Sequence, residues 1–175
     1  MTVFILEGPD GSGKSTLALS IVSHLENAYG ELTELKHYGP FTADHSAIDE
    51  YLTPLRTWVG LHPGGLEQAR TSNRTQHLVL DRFHIGEKIY GPMFRGKSKL
   101  TTEDEKLIDR YLDGINAVRI YMDTPWPIQY QRFVARGDAM VSLEQLQRIS
   151  ELYRRELRGD PKWIHWRPEH ASVFP

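Results

Sequence analysis

Gly8-Pro9-Asp10-Gly11-Ser12-Gly13-Lys14-Ser15-Thr16 decides the reading of this chain. The stretch fits the pattern G-x-x-x-x-G-K-[ST]. Before it, Thr2-Val3-Phe4-Ile5-Leu6-Glu7 is a short apolar run rich in β-branched and aromatic residues, which predicts a buried strand. After it, Lys14 to about Ala28 predicts a helix, with Leu17, Ile21, Val22 and Leu25 on one face and Gly30 as its stop. A glycine-rich turn between a buried strand and a helix start is an anion cradle. Its backbone N–H groups converge where only glycine permits the bend, and the helix dipole points at the same spot. Lys14 adds a point charge for β- and γ-phosphates, and the Ser15 hydroxyl suits a Mg²⁺ coordination sphere. A random chain of this length shows the four fixed positions well under about one time in a hundred. The turn is therefore read as the phosphate site of a nucleoside triphosphate, held by residues Gly8 to Thr16.

Outward from this turn, strands and helices alternate. Leu32–Tyr38 predicts a second strand, ended by Gly39-Pro40. Residues 41–75 predict two helical pieces, broken at His62-Pro63-Gly64-Gly65. His77–Leu80 predicts a third strand running into Asp81-Arg82-Phe83, and Gly86–Leu100 a loop or a loop with a short helix. A Thr101-capped helix to Leu112 follows, then a strand over Ala117–Met122 and a helix over Pro127–Arg136 ended by Gly137. Ser142 opens a further helix, and Trp163–Trp166 predicts a last short strand. Asp123 is expected to cap the helix after Pro125. The alternation predicts an α/β fold, a parallel sheet covered on both faces, in one domain spanning 1–175.

Composition narrows the classes. The chain has 175 residues, 39% hydrophobic and 25% charged, which suits a globular domain and excludes disorder, collagen and coiled coil. It has no cysteine, so disulfides, thiolate metal sites and Cys nucleophiles are excluded. No apolar run approaches the roughly 18 residues of a membrane span, so no membrane partner is expected. The opening residues have no basic n-region, so a signal peptide is not expected and the expected location is cytoplasmic, the host cytoplasm if the source is viral. Lys and Arg number 21 against 23 Asp and Glu, a net charge of −2 that leaves no general footprint for nucleic acid. A GTPase would carry an Asn-Lys-x-Asp base-reading motif, which does not occur. A motor ATPase favours Glu after the strand-end Asp; here Arg82 follows Asp81.

The blocks that remain carry a resemblance. Phe4 to Thr16 is similar to the thymidylate kinase opening F-x-E-G-x-D-G-x-G-K-S-T. Asp81-Arg82-Phe83 resembles that family's Asp-Arg-Tyr/Phe, and Ile120-Tyr121-Met122-Asp123-Thr124-Pro125 its fourth strand ending Leu-Asp-x-Pro. Arg132-Phe133-Val134-Ala135-Arg136-Gly137-Asp138 resembles the stretch entering its lid. The blocks occur in the family's order over residues 4–138. The resemblance implies a P-loop kinase fold, three-layered, with a five-stranded parallel sheet in the order 2-3-1-4-5 and a lid near 132–142. It implies ATP and Mg²⁺ as cofactors and transfer of the γ-phosphoryl group to a pyrimidine deoxynucleotide or nucleoside, with a thymidine-type 5′-monophosphate favoured. By the same resemblance Asp10 would sit near the acceptor or a Mg²⁺-bound water. Asp81 would face the acceptor or, with Ser15, the metal. Arg82 would contact the transferred or acceptor phosphate, Phe83 would line the acceptor pocket, and Arg132 and Arg136 would close over the phosphates. Arg132 and Arg136 lie four apart, so a solvated basic face is the competing reading.

Two places depart from the family. Lys36-His37-Tyr38-Gly39-Pro40-Phe41 stands where thymidylate kinases carry Arg-x-Pro-Gly-Gly. Arg70 or Arg74 would supply the base-reading Arg of the following helix, or be ordinary exposed residues. Residues 84–99 combine aromatics, glycine and basic residues beside the phosphate site. Tyr90 and Phe94 are candidates to stack on a base, and Arg95, Lys97 and Lys99 to hold phosphate; packing of Tyr90, Met93 and Phe94 as a satellite core is equally open. The spacing RFH-x-GE-x-x-YGP-x-x-RG resembles thymidylate-kinase-like proteins of bacterial viruses, some of which phosphorylate 5-hydroxymethyluracil within DNA. Modified DNA is thus the alternative acceptor, a non-kinase NTPase switch is the distant third reading, and a homodimer is left open.

Overall fold

A computed structural model of the chain describes residues 2–39, 46–58, 76–137 and 141–167. The elements run β1 (Thr2–Glu7), α1 (Lys14–Tyr29), β2 (Leu32–His37), α2 (47–58), β3 (Gln76–Asp81), α3 (His84–Arg95), α4 (Thr102–Gly114), β4 (Val118–Met122), α5 (Trp126–Arg136), α6 (Leu143–Leu157) and β5 (Trp163–Trp166). The five strands form one sheet in the order β2-β3-β1-β4-β5, and every pairing is parallel. This is the order expected for the P-loop kinase fold. The second helical piece over 66–75 lies outside the described residues, as do 138–140 of the lid segment.

Strand parity builds two cores. Val3, Ile5, Leu78, Leu80 and Tyr121 bury on one sheet face with residues of α2, α3, α4 and α6. Leu6, Val79, Ile120 and Met122 point the other way, onto Leu17, Ala18 and Ile21 of α1. The sheet is therefore a middle layer, and its near-continuous apolar strands follow from burial on both sides. Helix ends match their local chemistry. Thr101 and Ser142 form capping boxes with Asp104 and Gln145, and the left-handed Gly30 and Gly137 end α1 and α5.

Two expectations are corrected. Of the two readings of 86–100, the loop with a helix is the nearer, but the helix is longer and starts earlier than expected: His84–Arg95 makes three turns with Gly86, Gly91 and Pro92 inside it, and only 96–100 are loop. Ile85 and Ile89 bury into the main core, and Pro92 falls in the last turn, where it removes one backbone bond. Asp123 does not cap α5: Pro125 takes the N-cap position with no side-chain bond, and the Asp123 carboxylate faces Arg167 at 3.3 Å and Arg154 at 3.8 Å.

Candidate active site

The turn between β1 and α1 wraps as its glycines require. Gly11 and Gly13 hold φ of 73° and 94°, and a Cβ on either would come within 2.9 Å of Gln129 O or Arg132 Nη1. The turn is clamped by the segment that follows β4, the strand beside β1. Thr124 Oγ1 donates to Ser12 O at 2.7 Å, Arg132 Nη1 to the same oxygen at 3.3 Å, and Gln129 Nε2 to Asp10 O at 2.9 Å. Gln129 is itself held by the Ser150 hydroxyl at 3.0 Å. Lys14 lies buried in the cradle, its Nζ donating to Pro9 O at 2.8 Å and reaching Ser12 Oγ at 3.4 Å. Burial, and then the nearby Arg82 guanidinium, pull its pKa down to about 7 against the opposing carboxylates of Asp10, Asp81 and Glu7.

Parity places Asp81 on the α1 face of β3. There its Oδ2 accepts from Ser15 Oγ at 2.6 Å and lies 3.1 Å from His37 Nδ1 on β2. Asp81 Oδ1 is buried with no partner. Among the described residues no group of three or more His, Asp or Glu could hold a metal. Two oxygen donors with one orphaned carboxylate oxygen fit Mg²⁺, which keeps most of its waters and takes few protein ligands. Ser15 and Asp81 are the residues that would hold it.

Arg82 follows with φ of 71°, an uncommon left-handed conformation for a side-chain-bearing residue. The turn is held from beneath by Glu7. The Glu7 Oε1 accepts from Phe83 N at 2.8 Å and Gly86 N at 3.1 Å, and Oε2 accepts from Tyr153 Oη at 3.0 Å. Glu7 thereby caps α3 from a different element, since Phe83 is the N-cap and offers no side-chain bond. The result aims the Arg82 guanidinium onto Asp10 and over the Tyr90 ring, 5.0 Å from its centroid. The Tyr90 hydroxyl donates to the other Asp10 oxygen at 2.9 Å. Burial works against the Asp10 carboxylate, but Arg82, Lys14 and Tyr90 together hold it below its ordinary pKa. Burial pushes the Tyr90 phenol above its ordinary value against the pull of Arg82, so it stays an O–H donor.

The turn divides two openings. On the α1 and α5 side, an open cleft of about 1190 Å³ is lined by Gly11, Ser12, Gly13, Thr16, Arg132 and Arg136. On the α3 side, a cavity of about 380 Å³ is lined by Asp10, Arg82, Phe83, Tyr90 and Arg95, with Tyr51 and Glu87. The structure brings Asp10, Lys14, Ser15, Asp81, Arg82, Phe83, Tyr90, Phe94, Arg95, Arg132 and Arg136 around the turn and its two openings; Lys97 and Lys99 are not among the residues lining either opening, and Arg70 and Arg74 lie outside the described residues. Arg95 is gripped by both Glu87 oxygens at 2.5 Å. His84 is fully buried behind α3, with Nε2 3.4 Å from Asp109, and takes no place in either opening.

Sequence reading assigned no role to Glu7, Gln129 or Thr124. For Glu7 a signal was present, because Val3, Ile5 and Glu7 share one face of a buried strand, and an acid there needs donors. Gln129 and Thr124 carry no comparable signal.

No family model matches the chain. It is 25% identical over 156 residues to a protein of Bacillus subtilis (strain 168) described as SPbeta prophage-derived uncharacterized protein YorR, covering 88% of this chain and 81% of that one. Among solved structures, deoxyadenosine kinase from M. mycoides with bound dATP matches 95% of this chain and 90% of its own at 14% identity and a TM-score of 0.49. The same enzyme with bound dCTP matches 96% and 91% at 16% identity and a TM-score of 0.49. At that likeness the fold assignment rests on the strand order of the sheet itself.

Proposed function

We propose that the chain is an ATP-dependent phosphotransferase that carries the γ-phosphoryl group across the 8–16 turn to a pyrimidine nucleoside or nucleotide. The supporting observation is the pair of openings that share this turn, one exposing Gly11 to Gly13 and the other Asp10 and Arg82. A nucleotide-driven switch needs the first; a transfer enzyme needs both, with the phosphate cradle between them.

The roles follow from position. The backbone N–H groups of 8–16 and Lys14 bind the β- and γ-phosphates. Mg²⁺, held by Ser15 and Asp81, would neutralise charge on the bridging phosphate oxygens. Arg132 and Arg136, in the cleft wall, face the donor, with Arg132 already against the turn. Arg82 stands where charge passes from donor to acceptor. Tyr51, Phe83 and Tyr90 give the acceptor an aromatic wall.

The thymidylate-kinase-like motifs rank a thymidine-type 5′-monophosphate first among acceptors. The hydroxymethyl group of 5-hydroxymethyluracil in DNA is second, favoured by the spacing in residues 82–96 and by a prophage-derived relative. The experiment is transfer of label from γ-labelled ATP with Mg²⁺ to a panel of nucleosides, monophosphates and modified DNA. Label on any of these supports the kinase reading; release of phosphate to water alone, whatever the acceptor, overturns it.

A further inference from the structure

The acceptor cavity has a charge pattern that bears on what can enter it. Each of its two described arginines is committed to a carboxylate in the same wall. Arg82 pairs with Asp10, whose second oxygen takes the Tyr90 hydroxyl at 2.9 Å. Arg95 lies 2.5 Å from both oxygens of Glu87, and the Lys99 N–H donates to Glu87 Oε1 at 2.8 Å. The second pair has room made for it. A Cβ at Gly91 would come within 2.8 Å of Glu87 Oε1 and 3.0 Å of Arg95 Nη2. The remaining wall is largely aromatic, with Tyr51, Phe83 and Phe94.

A phosphomonoester acceptor enters as an anion of charge near −2. In this wall it meets two carboxylates whose partner cations are already engaged, in a partly buried site where like charges repel strongly. A neutral hydroxyl meets no such cost, and the Asp10 carboxylate can accept its hydrogen bond.

The geometry points to the primary hydroxyl of an uncharged pyrimidine nucleoside as the acceptor, with Asp10 taking its proton. This rests on the kinase reading above, narrows its substrate class, and reverses the order of acceptors that the sequence motifs alone give. The hydroxyl oxygen bonds to the γ-phosphorus. The bond from that phosphorus to the β–γ bridging oxygen breaks, and ADP leaves with the electron pair. The hydroxyl proton passes to the Asp10 carboxylate and then to water. Because such transition states are loose, the proton moves late, so a carboxylate held below its ordinary pKa suffices. A hydroxymethyl group on a base in DNA offers the same chemistry, but its strand brings phosphates that call for uncommitted cations.

The test compares kcat/KM of the wild-type protein, with Mg²⁺ and γ-labelled ATP, for thymidine, dTMP and an oligonucleotide containing 5-hydroxymethyluracil. Thymidine is expected to exceed dTMP by at least about tenfold. Equal or better use of dTMP overturns the assignment, as does label on the oligonucleotide without label on thymidine. Absence of label on all three overturns the kinase reading itself, a result distinct from label on dTMP. Asp10→Asn supplies the second arm: the thymidine-to-dTMP ratio is expected to fall at least about tenfold, since the variant loses the proton acceptor and one repelling charge. An unchanged ratio removes Asp10 from the reaction. The wild-type comparison decides the acceptor even where this variant fails to fold.

Discussion

Replacing Glu7 tests how the site is held from below. Glu7 is fully buried and is the acceptor for three donors, Phe83 N, Gly86 N and Tyr153 Oη. Glu7→Ala strands Phe83 N and Tyr153 Oη without access to water, while Gly86 N keeps its 3.1 Å bond to Phe83 O. Each buried donor left unpaired costs about 1–3 kcal/mol, and loss of the carboxylate at the α3 N-terminus adds up to about 1 kcal/mol. Allowing for relaxation, the sum is about 2–5 kcal/mol, a large part of the roughly 5–15 kcal/mol that holds a domain together. Glu7→Gln keeps an amide oxygen for both backbone N–H groups, and the Tyr153 hydroxyl can turn to accept from the new amide. The charge is lost and the Tyr153 O–H loses its acceptor, at about 1–3 kcal/mol together. Urea unfolding reads both, through the midpoint at constant slope. A loss below about 1 kcal/mol for Glu7→Ala refutes the view that Phe83 N and Tyr153 Oη depend on Glu7. A Glu7→Gln variant as damaged as Glu7→Ala shows instead that the charge and the Tyr153 bond, not the two backbone bonds, carry the effect. The two variants also separate in function. The bonds at 83 and 86 flank the left-handed Arg82, so Glu7→Ala raises the acceptor KM in whatever folded protein remains, while Glu7→Gln leaves it near wild type.

Four further outcomes are expected. Lys14→Ala lowers label transfer by at least about a hundredfold, and near-normal turnover removes the phosphate-cradle assignment. Gly11→Ala combines a φ of 73° with a 2.9 Å approach to Gln129 O, so it destabilises by about 1–2 kcal/mol in thermal or urea unfolding, and an unchanged midpoint contradicts the observed turn. Gly91→Ala would ordinarily stabilise a helix by about 1 kcal/mol; here the new methyl meets Glu87 Oε1 at 2.8 Å and Ser98 Cα at 3.0 Å, so a net loss is expected and a gain refutes the close packing. Asp10 has a lowered folded pKa, so its stabilising contribution is complete above its ordinary value of 3.8 and is lost as pH falls through the folded value. Asp10→Asn therefore flattens the stability curve below about pH 4, and an identical acid limb in both proteins sinks that linkage.

The parts of this molecule that were legible in its sequence are those fixed by local periodicity or by steric demand. The glycine turn was readable because Gly11 and Gly13 sit at positive φ with backbone or an arginine against the space a Cβ would fill, so no other residue type satisfies both. The strand order was readable only through the resemblance. Apolar runs such as Val79–Leu80 and Ile120–Met122 say that a strand is buried on both faces, but not which strand lies beside it. The ends of β3 and β4 were readable because polar residues, Asp81 and Asp123, interrupt the apolar runs there.

Helix α3 shows why the rest was hidden. Gly86, Gly91 and Pro92 read as loop punctuation because each disfavours a helix through its own backbone. In the folded chain each has a tertiary reason to be there. Gly86 N is bound by Glu7, 79 residues away in sequence, and Gly91 clears space for the Glu87–Arg95 pair. Residues chosen for what crosses the helix surface look locally like residues that break it. The same cause hid the charge pattern. Arg82, Arg95 and Lys14 read as three free cations beside a phosphate site, the usual mark of an anionic acceptor. Pairing of Arg82 with Asp10 joins positions 72 residues apart, and pairing of Arg95 with Glu87 spans more than two helix turns. Neither separation falls within the three- or four-residue spacing that sequence inspection can use. Net local charge in a cavity is a property of the fold, so acceptor preference inferred from basic residues alone is biased toward phosphates wherever carboxylates arrive from elsewhere in the chain.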